Sequence, residues 1–180
     1  MSNTFLISDT HYGHNAACTL FKLADGVTPL RPFANAAEAD EAMIERWNSV
    51  VKPNDKVYHL GDVVMPKHHR VLDEILPKLN GTKVLIKGNH DELEPARYLT
   101  YFKDIRAIHL LDNIALTHVP LHTASLVRWR ANIHGHLHAN NVVKDNGLID
   151  PKYFCVCVEQ INYTPIPFEL INNHFKSLGI

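Results

Sequence analysis

The sequence predicts a single mixed α/β domain, and three observations predict it. In the first half, apolar runs alternate with helical spacings to give strand–helix–strand–helix–strand, the pattern of a parallel sheet. Each of those strands leads into a short polar motif just past its C-terminal end, where open α/β sheets place their ligands. The chain of 180 residues is long enough to bury one full core, and it carries no internal repeat, low-complexity tract or linker.

Taken in order, Phe5-Leu6-Ile7-Ser8 is a buried first strand ending at Asp9. Asn35-Ala36-Ala37-Glu38 has the form of a capping box with Asn35 as N-cap, and the stretch to Val51 spaces Ala39, Met43, Ile44, Trp47 and Val50 as a helix does. After a turn at Pro53-Asn54-Asp55, Lys56 to Leu60 is a second strand ending at Gly61-Asp62. A second helix fits Pro66 to Leu79, its last turn disturbed by Pro77. Asn80-Gly81 marks a turn, and Lys83 to Ile86 is a third strand ending at Gly88-Asn89-His90-Asp91. Beyond it, Ile105 to Leu111, Asp112-Asn113 and Ile114 to Thr117 form an expected hairpin. Asn132-Ile133-His134 and Tyr153 to Glu159 are further strands, Ala139 to Pro151 an exposed polar loop, and Phe168 to Leu178 a closing helix.

Composition narrows the class. With 46% hydrophobic and 21% charged residues and a formal net charge of −1, the chain lacks the basic excess of a nonspecific nucleic-acid binder. The basic stretches Lys67-His68-His69-Arg70 and Arg128-Trp129-Arg130 read as solvated surface. Cys18, Cys155 and Cys157 are an odd count and read as core thiols rather than a disulfide framework; on one strand, Cys155 and Cys157 would share a face. No apolar run reaches the length of a membrane span, and the N-terminus lacks a signal-peptide pattern, so a soluble, reducing, cytoplasmic setting is expected.

Histidine is the outlier, with 13 copies. Asp9-Thr10-His11, Gly61-Asp62, Gly88-Asn89-His90-Asp91, Thr117-His118 and Gly135-His136-Leu137-His138 form a series of ligand-bearing motifs. Asp9 and His11 lie two apart at a strand end and can turn toward one metal. Asp62 can bridge two metals with its two carboxylate oxygens. Asn89 offers an amide oxygen, and His118, His136 and His138 offer imidazole nitrogens. This mixed N and O set favours Mn, Fe, Zn, Co or Ni over Ca or Mg, and two such ions a few ångströms apart suit phosphate-ester hydrolysis.

These five blocks, in this order over positions 9 to 138, resemble the calcineurin-like metallophosphoesterases, in particular the small bacterial or phage-type members. The resemblance implies a four-layer α-β-β-α sandwich of two mixed β-sheets flanked by helices. It implies Asp9, His11 and His138 on one metal, Asn89, His118 and His136 on a second, and Asp62 between them. It implies that a bridging hydroxide attacks phosphorus, that His90 protonates the leaving oxygen, and that Asp91 orients His90 and favours its charged form. Many relatives carry an acidic residue where this chain has Met65, so their substrate specificity does not transfer.

Other residues keep two readings. His14 contacts substrate or supports the ligands, and His122 is a weaker candidate of the same kind. Arg31 clamps a phosphate oxygen with its fork of donors or packs structurally. His134 reads as packed or as a support behind the ligands; His59, His68, His69, His109 and His174 read as structural or exposed. The expected function is a manganese-dependent phosphoesterase acting on phosphodiesters, with nucleotides or nucleic-acid ends as substrates. A monoesterase using the same site and a non-catalytic scaffold on the same fold are the alternatives. A structural zinc domain does not fit, because its ligands would be cysteine-rich and closely spaced.

Overall fold

The computed structural model describes residues 2–65 and 69–180. Strands β1 (Thr4–Ile7), β2 (Lys56–His59), β3 (Thr82–Ile86) and β4 (Asp104–Arg106) are parallel neighbours in one sheet. Strands β5 (His109–Leu111), β6 (Ile114–Leu116), β7 (Ala131–His134) and β8 (Tyr153–Cys155) form a second, in that order, antiparallel at β5·β6 and parallel thereafter. Strand β9 (Ile166–Pro167) returns to the first sheet, antiparallel to β1. Both sheets are therefore mixed, and helices flank them: α1 (Asn15–Thr19), α2 (Ala36–Val50), α3 (His69–Ile75), α4 (Pro95–Leu99) and α5 (Phe168–Ser177).

Side-chain alternation along the strands explains the layering. Phe5, Ile7, Val57 and Leu85 face Met43 and Trp47 of α2 and Leu72 of α3. Leu6, Tyr58, Val84 and Ile86 face the opposite way, against Ile114, Leu116 and Ile133 of the second sheet, with Ile171 and Phe175 of α5 in the same cluster. Trp47, Leu6 and Phe175 are wholly buried, and a side chain of this kind contributes about 1.5–3 kcal/mol by leaving water. On the outer side of the second sheet, buried Asn132 accepts from the Leu121 N–H and donates to Thr117 Oγ1, which draws the 117–130 connection over the strands.

The capping box forms much as the sequence indicates. Asn35 accepts from the Glu38 N–H, and Glu38 reaches back to the Ala34 N–H. The helix expected from Pro66 begins outside the described residues, as do Lys67 and His68. Its visible part ends at Ile75 and tightens into a 3₁₀ turn, Leu76–Lys78, because Pro77 has no N–H to continue the α ladder.

Two expected strands are divided. Ile105 to Leu111 splits because Arg106 pairs with Ile86 in the first sheet while His109 pairs with Leu116 in the second. The turn itself is as expected, with Asp112 and Asn113 both at positive φ, as a tight hairpin requires. The strand expected over Tyr153 to Glu159 ends at Cys155. Ser8 then donates to the Val156 carbonyl and accepts from the Val158 N–H, so the chain crosses from the second sheet to the end of β1.

Candidate metal centre

The loops after β1, β2, β3, β6 and β7 meet at one end of the two sheets. They are joined by backbone hydrogen bonds beyond the strands: Asp9 N–H to the Gly61 carbonyl (2.9 Å), His11 N–H to the Asp62 carbonyl (3.0 Å) and Gly135 N–H to the His118 carbonyl (2.8 Å). Asp9 (φ 57°), His11 (44°), Asp62 (57°), His136 (68°) and His138 (50°) all adopt left-handed backbone, which non-glycine residues enter at a cost of roughly 1–3 kcal/mol each. Such conformations persist only where the surroundings dictate them, and here they concentrate on residues whose side chains converge.

The side chains form two clusters, Asp9–His11–His138 and Asp62–His118–His136. In the first, Asp9 Oδ1 lies 3.7 Å from His11 Nε2 and 3.9 Å from His138 Nε2. Asp9 Oδ1 is buried and has no hydrogen-bond partner, whereas Oδ2 accepts from Ser8 Oγ (2.5 Å), His136 N–H (2.8 Å) and Cys157 Sγ (3.2 Å). One oxygen of the carboxylate is thus fully occupied by protein and the other is turned, bare, toward two imidazole nitrogens.

In the second cluster His118 Nε2 and His136 Nδ1 each lie 2.9 Å from Asn89 Oδ1. The His118 Nδ1–H donates to the Leu60 carbonyl at 2.7 Å, which points Nε2 into the centre. Asp62 Oδ2 sits between the clusters, 3.5 Å from His11 Nε2 and 3.4 Å from His118 Nε2. Its other oxygen accepts from the His90 N–H at 2.8 Å. A bridge through both carboxylate oxygens is therefore not what this geometry offers: only Oδ2 faces both sides.

The electrostatics match converging donors. Burial pushes the Asp9 carboxyl upward, but His11, His118 and His138 outweigh it and hold the group well below the carboxylate range. Burial opposes charge on His118, yet Asp62 and Asp9 raise it to about 9. Burial and the neighbouring His118 lower His136. Burial also lowers His138, but Glu159 more than compensates.

Two glycines permit the close approach. A Cβ on Gly61, itself at φ 93°, would collide with the Gly88 backbone and His118 Nδ1; one on Gly135 would collide with Ser8 Oγ and Asp9 Oδ2.

Three of the expected residues take other places than a substrate or acid–base role. Arg31 is 1% exposed and cannot clamp a substrate: its Nη atoms donate to the Thr10 and Asp9 carbonyls, and Nε to Glu159. Asp91 does not orient the His90 ring. Its carboxylate accepts from the backbone N–H groups of Asp62, Val63 and Gly88, fixing the loops that carry Asp62 and Asn89. His122 is exposed at the start of the 3₁₀ turn Thr123–Arg128, accepting from the Ala124 N–H, and lines no cavity beside the centre among the described residues. His14, by contrast, lies with its ring 5.7 Å from that of His11, and His90 packs edge-on to His11 at 5.5 Å.

Several contributors carried no motif. Glu159 accepts from His138 Nδ1 at 3.2 Å; Ser8 and Cys157 hold Asp9. Cys157 is one of the free, buried thiols the sequence led one to expect, but its sulfur also accepts from the His138 N–H. Only the crossing of 156–158 to β1 brings Cys157 and Glu159 here.

Comparison with known proteins was made against this geometry. The sequence model of the calcineurin-like phosphoesterase superfamily domain matches residues 3–153. An uncharacterized protein of Methanocaldococcus jannaschii is 37% identical over 177 residues, covering 95% of this chain and 90% of that one. The gene 66 protein of Mycobacterium phage L5 is 34% identical over 97 residues, 53% of this chain and 42% of its own. The crystal structure of a protein of unknown function from Aquifex aeolicus superposes with a TM-score of 0.65 at 24% identity, covering 96% of this chain and 99% of that one, which is a likeness of fold. Among the described residues, no helix is long and apolar enough to cross a membrane.

Proposed function

Because the chain belongs to the calcineurin-like phosphoesterase superfamily, we propose that it hydrolyses phosphodiesters with two divalent metal ions, Mn²⁺ foremost. The family carries metal-dependent phosphoester hydrolysis in general; the diester preference, the ion count and the residue roles are the proposal. Asp9, His11 and His138 would hold one ion and Asn89, His118 and His136 the other, with Asp62 Oδ2 shared. The donors fit a cation: Asp9 Oδ1 is buried with no hydrogen-bond partner and faces His11 Nε2 at 3.7 Å and His138 Nε2 at 3.9 Å. When bound, the ions supply positive charge for the phosphoryl oxygens and make water acidic enough to attack near neutral pH.

The chain's own residues do the rest. Leu60 and Glu159 fix the tautomers of His118 and His138, so that each presents Nε2. Ser8, His136 N–H and Cys157 hold Asp9 so that Oδ1 alone is presented. His90, tied through its backbone to Asp62, places its ring beside His11, from where it gives a proton to the leaving oxygen.

One observation carries the diester preference: cavities open on both sides of the centre. One of about 190 Å³ adjoins His11, His90 and His138, and one of about 400 Å³ adjoins Asn89 and His118, with Lys87, Ile108 and Val119 along it. A phosphodiester has two substituents to place, a monoester one. Nucleotides, cyclic nucleotides and nucleic-acid ends are the natural compounds of that form.

The test compares bis-p-nitrophenyl phosphate with p-nitrophenyl phosphate, using metal-stripped protein reconstituted with Mn²⁺. The diester is expected to have the higher kcat/KM, and chelation to abolish both activities. Monoester preference would overturn the diester reading; silence toward both, with metal bound, would overturn the activity.

A further inference from the structure

We infer that the cavity beside His90 is a leaving-group subsite built for a flat ring, a binding site that rests on the hydrolytic reading above and specifies its substrate. Its floor is the catalytic side of the centre, His11, His90 and His138, and its wall is Ala17, Phe21, Leu30 and Met65. A group leaving from phosphorus toward the acid His90 must enter this space.

The wall states the chemistry of what enters. The side chains of Ala17, Phe21, Leu30 and Met65 are apolar, and His14 adds a second ring to the lining. The Phe21 ring is 48% exposed, unusually open for phenylalanine, and meets the His14 ring edge-on at 5.5 Å and 83°. Both rings line the cavity, where a planar group can contact them. At about 190 Å³ the space is close to the roughly 150 Å³ of an apolar cavity known to take a benzene ring.

The wall is also held in place. The Phe21 N–H donates to the Ala16 carbonyl (3.0 Å), the Leu30 N–H to the Phe21 carbonyl (2.8 Å) and the Arg31 N–H to the Ala17 carbonyl (3.2 Å). Arg31 in turn grips the backbone of Asp9 and Thr10. The aromatic wall and the ligand loop are thereby parts of one network, and a ring can bind without first ordering the segment. A planar aromatic group joined to phosphorus through its own oxygen is the leaving group that fits this space.

Calorimetric titration of the Mn²⁺-reconstituted protein with phenylphosphonate and methylphosphonate tests this without turnover. Wild type is expected to bind the phenyl compound about tenfold more tightly, the scale of one ring stacked on an aromatic side chain. Phe21→Ala is expected to erase that preference and Phe21→Tyr to keep it. Equal binding of the two phosphonates by wild type, a preference that survives Phe21→Ala, or binding of neither would overturn the subsite. Failure to hydrolyse p-nitrophenyl esters while the ring preference holds would count against the activity alone.

Discussion

Arg31 Nε and Glu159 Oε1 form an ion pair of 2.9 Å across 128 residues of sequence, with side chains 2% and 4% exposed. The same Glu159 oxygen accepts from His138 Nδ1, and the same guanidinium grips the carbonyls of Asp9 and Thr10. One buried pair therefore supports two of the proposed ligands of a single ion, Asp9 and His138, one from each half of the chain. Burial opposes charge on Glu159, but His138 and Arg31 outweigh it and keep the carboxyl below its usual range.

Glu159→Gln should lower the affinity for the first ion by about 10- to 100-fold, the usual effect of losing the partner of a metal-binding histidine. Glu159→Ala should in addition destabilise the fold by about 3–5 kcal/mol, because Arg31 is left buried and unpaired. Metal titration by calorimetry and urea unfolding of the apoprotein read the two effects separately. Unchanged metal affinity in Glu159→Gln would contradict the role.

His90→Ala should reduce kcat on bis-p-nitrophenyl phosphate by about 10²–10⁴-fold, the span of a lost general acid, while bound metal stays the same. The His90 backbone, whose N–H holds Asp62, survives the substitution. Metal analysis beside steady-state kinetics checks this, and loss of metal would make His90 structural instead.

Gly135→Ala should disturb Asp9 directly, since the new Cβ would overlap Ser8 Oγ and Asp9 Oδ2. A cost of about 1–3 kcal/mol is expected, together with a loss of metal content larger than that stability change explains. Denaturation of the apoprotein and metal counting on the purified variant measure both.

Asp40 on α2 accepts from the Gly13 N–H, and burial raises its carboxyl to about 7, against the contribution of that N–H. A carboxyl raised on folding keeps its proton in the native state after the unfolded chain has lost it. Its contribution to stability therefore falls as pH rises from about 4 to about 7 and is level outside that window. The stability of wild type relative to Asp40→Asn should decline across this range by up to about 4 kcal/mol, about 1.4 kcal/mol for each pH unit. A flat difference between pH 4 and 7, in urea unfolding of the two proteins, would contradict it.

Much of this was legible in the sequence, and the reasons differ by element. Helix α2 could be read because Asn35, Glu38 and the spacing of Met43 and Trp47 all point the same way. The convergence of Asp9, Asp62, Asn89, His118 and His136 could be read because each motif follows a strand end, where position on the sheet substitutes for proximity in sequence. Helices α1 and α4, five residues each, are too short to show a period. The division of the expected 105–111 strand was hidden because pairing with different sheets is a tertiary choice that local alternation does not encode. Arg31 illustrates the same limit: its residue type suits a phosphate equally well, and only the arrival of Glu159 from the far end of the chain decides for packing.

The most direct measurement is hydrolysis of bis-p-nitrophenyl phosphate by metal-stripped protein as Mn²⁺ is titrated in, with bound metal counted on the same samples. The account predicts no activity without metal and a rise that saturates at two ions per chain. Activity in the stripped protein, or full activity at one ion, would contradict a two-metal centre bridged by Asp62.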